Sequence, residues 1–155
     1  MKVIIRELRP EDASVSWKWR NDPEVWALTG REWDNLVSEE IERIWIEQVI
    51  KNEKDKRFAI CIGDEKEYVG NVQLTNITSV DGCFHIFIGE KSYWGKGVAT
   101  TATKLLLKYA KDFLKIKQVY LTVKKKNVSA IKVYEKNGFF ISDVFDNEYK
   151  MLCVL

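Results

Sequence analysis

The sequence has one histidine, two prolines and three cysteines among its 155 residues. A lone histidine leaves no room for a His-rich metal site. Cys61, Cys83 and Cys153 are odd in number, lie in strand-like apolar runs and never take CxxC spacing. They exclude a disulfide scaffold and a zinc ribbon, and read as reduced thiols with no metal site, which is the pattern of a cytoplasmic protein. Long hydrophobic runs are absent. The opening "MKVIIRELRPED" has three apolar residues before charge resumes, so neither a secretory leader nor a membrane span is expected there. A strong charge of one sign is also missing: the formal net charge is +2, with acids and bases interspersed except at Lys124-Lys125-Lys126. That balance does not point to nucleic acid, and the lysine run reads first as a solvated loop.

What remains is enough for one domain with a genuine core. Hydrophobic residues make up 46% and charged residues 31%, a globular balance. No repeat, low-complexity tract or Pro/Gly linker divides the chain, so residues 1–155 are expected to form a single domain. "KVIIREL" reads as a strand. "EDASVSWKWRNDPEV" reads as a helix stopped at Asn21-Asp22-Pro23, since the residue before proline avoids helical geometry. Ser38 followed by two acids marks a helix start, with Ile41, Ile44, Trp45 and Val49 at helical spacing. Phe58, Ile60 and Ile62 alternate, Gly63-Asp64 turns into "YVGNVQLTNI", and Asp81-Gly82 turns into "CFHIFIG". Val98, Ala102, Leu105, Leu106, Tyr109 and Phe113 form one helical stripe. Val119, Leu121 and Val123 alternate, Asn127 caps a short helix that Gly138 ends, and 139–155 read as a hairpin across Asp146-Asn147. Together these give an α/β (α+β) domain, a mixed sheet with helices on its faces.

"WGKGVAT" (94–100) sits at a strand-to-helix junction. Gly95 and Gly97 remove the Cβ atoms that would hold a ligand off the backbone. The amides of the following helical turn then face an anion, and a diphosphate suits them. A P-loop would need GxxxxGK followed by Ser or Thr, which is absent. A dinucleotide fingerprint would need a third glycine where Thr100 stands, and an acid at the end of "QVYLTV". A late position after an antiparallel meander also argues against that fingerprint.

Trp94-Gly95-Lys96-Gly97-Val98-Ala99 does resemble the Arg/Gln-x-x-Gly-x-Gly/Ala motif of GNAT N-acetyltransferases, with Trp94 in place of Arg or Gln. "NVSAIKVYEKNGF" resembles the second signature of that family, with Asn127, Ala130, Tyr134, Gly138 and Phe139 in the usual places. The order of elements resembles the GNAT fold over essentially the full chain, and "WRNDPEV" looks like the branch that holds ribosomal-protein alanine and amino-sugar acetyltransferases. The resemblance implies a mostly antiparallel sheet of about six to seven strands with helices on both faces.

It also implies acetyl-CoA as donor and a small amine as acceptor, with a direct transfer between them. Pantetheine would run along backbone near Phe87 and Ile88, where the fourth and fifth strands splay. The diphosphate would sit on the amides of Gly95, Lys96, Gly97, Val98, Ala99 and Thr100, beside Trp94. Asn127 would reach the pantetheine or cap its helix. Tyr134 occupies the position of the general acid, a phenol able to protonate the departing thiolate. Its other reading is a core tyrosine.

His85 has an unperturbed pKa near 6.5 suited to a general base. Glu90 and ordered water stay open for the same task, because the family often places Glu where Cys83 stands. Trp19, Trp26, Arg31 and Trp33 are expected around the acceptor, an amino sugar or sugar nucleotide. The alternatives are a protein N-terminal amine, or an acyl-CoA sensor without transfer. No nucleic-acid or membrane partner is expected, and the protein is taken as monomer or homodimer.

Overall fold

The computed structural model describes residues 1–27 and 36–155. Seven strands form one sheet: β1 (Val3–Glu7), β2 (Lys56–Ile62), β3 (Glu67–Thr75), β4 (Asp81–Ile88), β5 (Gln118–Lys124), β6 (Phe140–Val144) and β7 (Glu148–Val154). Their order across the sheet is β1-β2-β3-β4-β5-β7-β6. Every neighbouring pair is antiparallel except β4 and β5. The helices are α1 (Ala13–Arg20), α2 (Pro23–Trp26), α3 (Glu39–Val49), α4 (Val98–Tyr109) and α5 (Val128–Lys136).

Alternation along the strands splits the core in two. Phe58, Ile60, Val72, Leu74 and Phe84 pack beneath Val98, Ala102 and Leu106 of α4 and Tyr134 of α5. Ala59, Cys61 and Tyr68, from the opposite face, meet Ala13 and Trp19 of α1 and Ile46 of α3. Helices therefore cover both faces, and each hydrophobic stripe removes its area from water at about 25 cal/mol per Å².

Four local expectations need correction. The first helix begins as a tight 3-10 turn at Pro10–Asp12 and ends at Arg20. Pro23 does not only stop it: Asp22 accepts a hydrogen bond from the Glu24 amide (3.0 Å) and Pro23 opens α2, because proline loses nothing at a first helical position. In α3, Ser38 caps as expected, its Oγ accepting from the Ile41 amide at 3.1 Å. Its inward face, however, is Glu42 and Ile46, while Ile41 and Ile44 are exposed. The Asp81-Gly82 pair lies inside β4, and the chain reverses before it, where Asn76 takes φ +51°. At the end of α4 a π turn over Ala110–Leu114 slips the helical phase. Phe113 consequently points outward, 77% exposed and stacked on Tyr109, and Ile116 fills the core instead.

Candidate acyl-transfer site

β4 and β5 are held side by side only from Asp81↔Gln118 to Cys83↔Tyr120. Beyond that register they diverge, and the gap is where the cavities lie. β4 stays paired with β3 up to Gly70↔Ile88, and a bulge on β3 redirects the chain just beyond that point. Between Ile60↔Gly70 and Cys61↔Tyr68 the β2–β3 register shifts past Val69. The Val69 carbonyl then accepts from both the Gly89 amide (2.8 Å) and the Glu90 amide (3.1 Å). An extra residue of this kind bends the sheet and re-aims its side chains.

The strand leads through a 3-10 turn at Lys91–Tyr93 into the glycine loop. Gly95 and Gly97 have φ of +72° and +82°, and a Cβ on either would meet nothing within 4 Å. Both conditions fit a ligand cradle: left-handed backbone that glycine adopts without strain, facing open space. Gly97 caps α4 without a side-chain hydrogen bond, and the first amide turned back into the helix is Thr101, bonded to the Gly97 carbonyl at 3.1 Å. The preceding amides are those a helix leaves without internal partners. Trp94, in place of Arg or Gln, fastens the loop to its strand, its Nε1 donating to the Ile88 carbonyl at 2.8 Å.

Two cavities flank the divergence. One, of ≈ 460 Å³, is walled by Phe87, Ile88, Trp94, Gly95, Gly97, Val98, Ala99, Thr100, Asn127 and Tyr134, together with Ala130 and Val133 of α5. Sequence-stretches far apart in the chain thus meet around one space. Lys96 is not in that wall; its ammonium lies 5.8 Å from the Tyr93 ring centre. The other cavity, of ≈ 320 Å³, lies on the α1/α3 side and includes Trp26, His85, Asn127 and Tyr134. Ile86, Phe87, Asn127 and Tyr134 belong to both walls. The two spaces meet at these four residues.

Tyr134 is 8% exposed, with its ring against Phe84 and Phe139 at 5.9 and 5.7 Å. Burial pushes its phenol up to about 12, so it remains protonated at neutral pH. Asn127 caps α5, its Oδ1 accepting from the Ala130 amide at 3.3 Å, while also lining both cavities. His85 stands on β4 with Nε2 3.2 Å from Thr75 Oγ1. Glu90 accepts from Trp19 Nε1 at 3.0 Å and lines neither cavity.

Trp19 is 4% exposed and packs on Tyr68 (4.8 Å) and Phe87 (6.0 Å). It lines neither cavity and reaches the site only through Phe87. Trp26 does line the smaller cavity, against Phe87 at 5.0 Å. Arg31 and Trp33 lie outside the described residues. Arg20, Glu42, Trp45, Arg57, Asn71 and Gln73 share that wall, and of these Glu42, Arg57, Asn71 and Gln73 carry no sequence signal for a ligand wall. Asn71, Gln73 and Thr75 alternate with Val72 and Leu74, a pattern that reads as a solvent face but here faces a cavity. Among the described residues no cluster of His, Cys, Asp or Glu could hold a metal, and no helix is long and apolar enough to cross a membrane.

Comparison with known proteins agrees with this fold. The Vibrio cholerae spermidine N-acetyltransferase crystallised with CoA and spermine superposes with a TM-score of 0.84 at 22% identity, covering 98% of this chain and 95% of that one. The acetyltransferase PseH of Campylobacter jejuni is 24% identical over 148 residues, 96% of this chain and 88% of its own. The spermidine N(1)-acetyltransferase of Escherichia coli K12 is 35% identical over 102 residues, 64% of this chain and 53% of its own. A Methanocaldococcus jannaschii protein is 25% identical over 89% of this chain, which spans 28% of that relative. The chain therefore spans about a quarter to a half of the length of these last two curated relatives. Residues 2–140 match the acetyltransferase (GNAT) domain family, and the chain belongs to that family.

Proposed function

We propose that this chain, acting as a single GNAT domain over residues 1–155, moves an acetyl group from acetyl-CoA directly to the primary amine of a small acceptor. The observation that carries this reading is the junction of two cavities at Ile86, Phe87, Asn127 and Tyr134. A donor in one and an acceptor in the other would meet there without a covalent enzyme intermediate. Neither Cys61, Cys83 nor Cys153 is among the residues walling either space.

The cradle fits the donor. Amides from Gly95 to Thr100 and the positive end of α4 would hold the diphosphate, and backbone at Phe87 and Ile88 would hold the pantetheine arm. Bound there, the thioester supplies an activated acetyl carbon. His85, on the acceptor side of the junction, would take the proton from the incoming ammonium. Tyr134 faces both sides. Its phenol, held protonated at neutral pH by burial, would donate its proton to the departing thiolate as a general acid while charge builds on the sulfur, in a site that Phe84 and Phe139 keep apolar.

The acceptor is an amino sugar or a sugar nucleotide. Trp26 and Trp45 offer flat apolar walls, and Asn71, Gln73 and Thr75 offer side-chain polar groups that can fix hydroxyls. Acetyl-CoA-dependent thiol release, measured across amino sugars, their nucleotides, polyamines and N-terminal peptides, tests the reading. Turnover with small amines is expected. Turnover confined to N-terminal peptides would replace the acceptor, and CoA binding without turnover of any amine would leave a sensor.

A further inference from the structure

The acceptor cavity has an electrostatic pattern that the transfer reading does not need. Trp45 of α3 has two guanidiniums against its ring: Arg20 Cζ is 4.2 Å from the ring centre and Arg57 Cζ is 5.3 Å away. Both arginines line the cavity. Each has five N–H donors, and each is anchored through one carboxylate. Arg20 Nε donates to Glu42 at 3.1 Å and Arg57 Nη2 to Asp55 at 3.2 Å. Glu42 is sealed, 2% exposed, and its other oxygen accepts from Ser16 Oγ at 3.1 Å. It orients Arg20, and although it lines the cavity its charge is paired with that guanidinium. Asp55 is not among the lining residues.

Arg57 is also incompletely satisfied. Its Nε is the one buried side-chain N or O atom without a hydrogen-bond partner among the described residues. That atom is sealed away from the cavity, so a ligand there would meet the terminal nitrogens of Arg57, of which Nη2 is already held by Asp55 at 3.2 Å. Lys124 adds a third cation to the wall, and Glu148, opposite it in the β5–β7 register, lines the same wall, so three cations stand there with the carboxylates of Glu42 and Glu148.

We propose that the acceptor carries an oxyanion, a phosphate or a carboxylate, which Arg57 and Arg20 bind while its amine lies at His85. This rests on the transfer reading above. A planar guanidinium fork matches either oxyanion in bidentate fashion, and a polycation would meet more cations than carboxylates in this wall. The register also sets the size. Arg57 pairs with Gln73, and Gln73 with His85, so the two ends stand two strand spacings apart, about 10 Å. That separation suits a molecule of sugar-phosphate size with charge and amine at opposite ends.

Five probes separate the possibilities: glucosamine, glucosamine 6-phosphate, 6-aminohexanoate, spermidine, and glucose 6-phosphate as an amine-free competitor. With the wild-type protein, kcat/KM for glucosamine 6-phosphate or 6-aminohexanoate should exceed that for glucosamine and spermidine at least tenfold. Whichever of the two is better tells phosphate from carboxylate. Arg57→Gln should raise the KM of that acceptor by about tenfold to a hundredfold, the range for losing a charge-assisted hydrogen bond, and leave the KM for acetyl-CoA in place. Glucose 6-phosphate should compete with the acceptor and not with acetyl-CoA, a measurement that needs no variant to fold. Spermidine or glucosamine preferred over both anions, or no effect of Arg57→Gln on acceptor KM, would overturn the proposal while leaving acetyl transfer standing. No thiol release with any amine would instead remove the transfer reading. In that case glucose 6-phosphate quenching the fluorescence of wild-type protein, and not of Arg57→Gln, would still support the anion site, and no quenching would end it.

Discussion

Gly89 leaves the space that Trp19 fills. A Cβ on Gly89 would lie 2.0 Å from Cδ2 of the indole and 2.4 Å from its Cγ and Cε2. The ring cannot retreat easily, since its Nε1 is bonded to Glu90 and its face meets Tyr68. Gly89→Ala is therefore expected to cost about 3 kcal/mol, the upper range for overpacking a filled core. Thermal or urea unfolding checks this, and a stability change within about 0.5 kcal/mol would show that the ring moves freely.

Gly97 takes φ +82° at the head of α4 with open space before it. Gly97→Val would put a β-branched residue into left-handed backbone, costing about 1–2 kcal/mol, and would project two methyls into the cradle. CoA affinity, read by calorimetry, should fall at least tenfold. Undiminished affinity in a folded variant would remove the cradle assignment.

Tyr134 ties a pH prediction to a rate prediction. Its phenol is neutral when protonated, and burial raises it from an unfolded value near about 10 to about 12. The folded state thus holds this proton more tightly. The associated stability is complete below pH about 10 and is lost as pH rises from there toward 12. No decline in kcat below pH about 10 should therefore come from Tyr134. Tyr134→Phe should keep CoA affinity and lose about two to three orders of magnitude in kcat. A near-normal kcat, measured where chemistry limits turnover, would return Tyr134 to a packing role.

The proposed donor side of the site was legible in sequence because it rests largely on backbone. Gly95, Gly97 and the Asn127 cap follow from local rules about left-handed residues and helix termini, Tyr134 came from the resemblance of its stretch to the family's second signature, and the larger cavity gathers them. The acceptor side was much less so. Glu42 lies off the apolar stripe that the α3 spacing predicts and is buried nonetheless, because its partners Ser16 and Arg20 come from another helix. Arg57, Asn71 and Gln73 alternate like solvent-facing strand residues, and Arg20, Trp26, Glu42 and Trp45 from the helices over that face make it one side of a cavity. Trp19 shows the reverse. An aromatic near the acceptor helices suggested a ligand wall, but the bulge at Val69 and the missing Cβ of Gly89 give it a place in the core. Phe113 left its stripe through a π turn that no periodicity count foresees.

Direct transfer requires donor and acceptor to occupy the two cavities together, meeting at Ile86, Phe87, Asn127 and Tyr134. The most direct test is the initial-velocity pattern of thiol release with acetyl-CoA and the best amine varied against each other. Lines that intersect in double-reciprocal form, with no thiol released before amine is added, are the predicted result. Parallel lines with a stoichiometric burst of thiol from acetyl-CoA alone would contradict the account, because they require the acetyl group to rest on the protein between the two substrates.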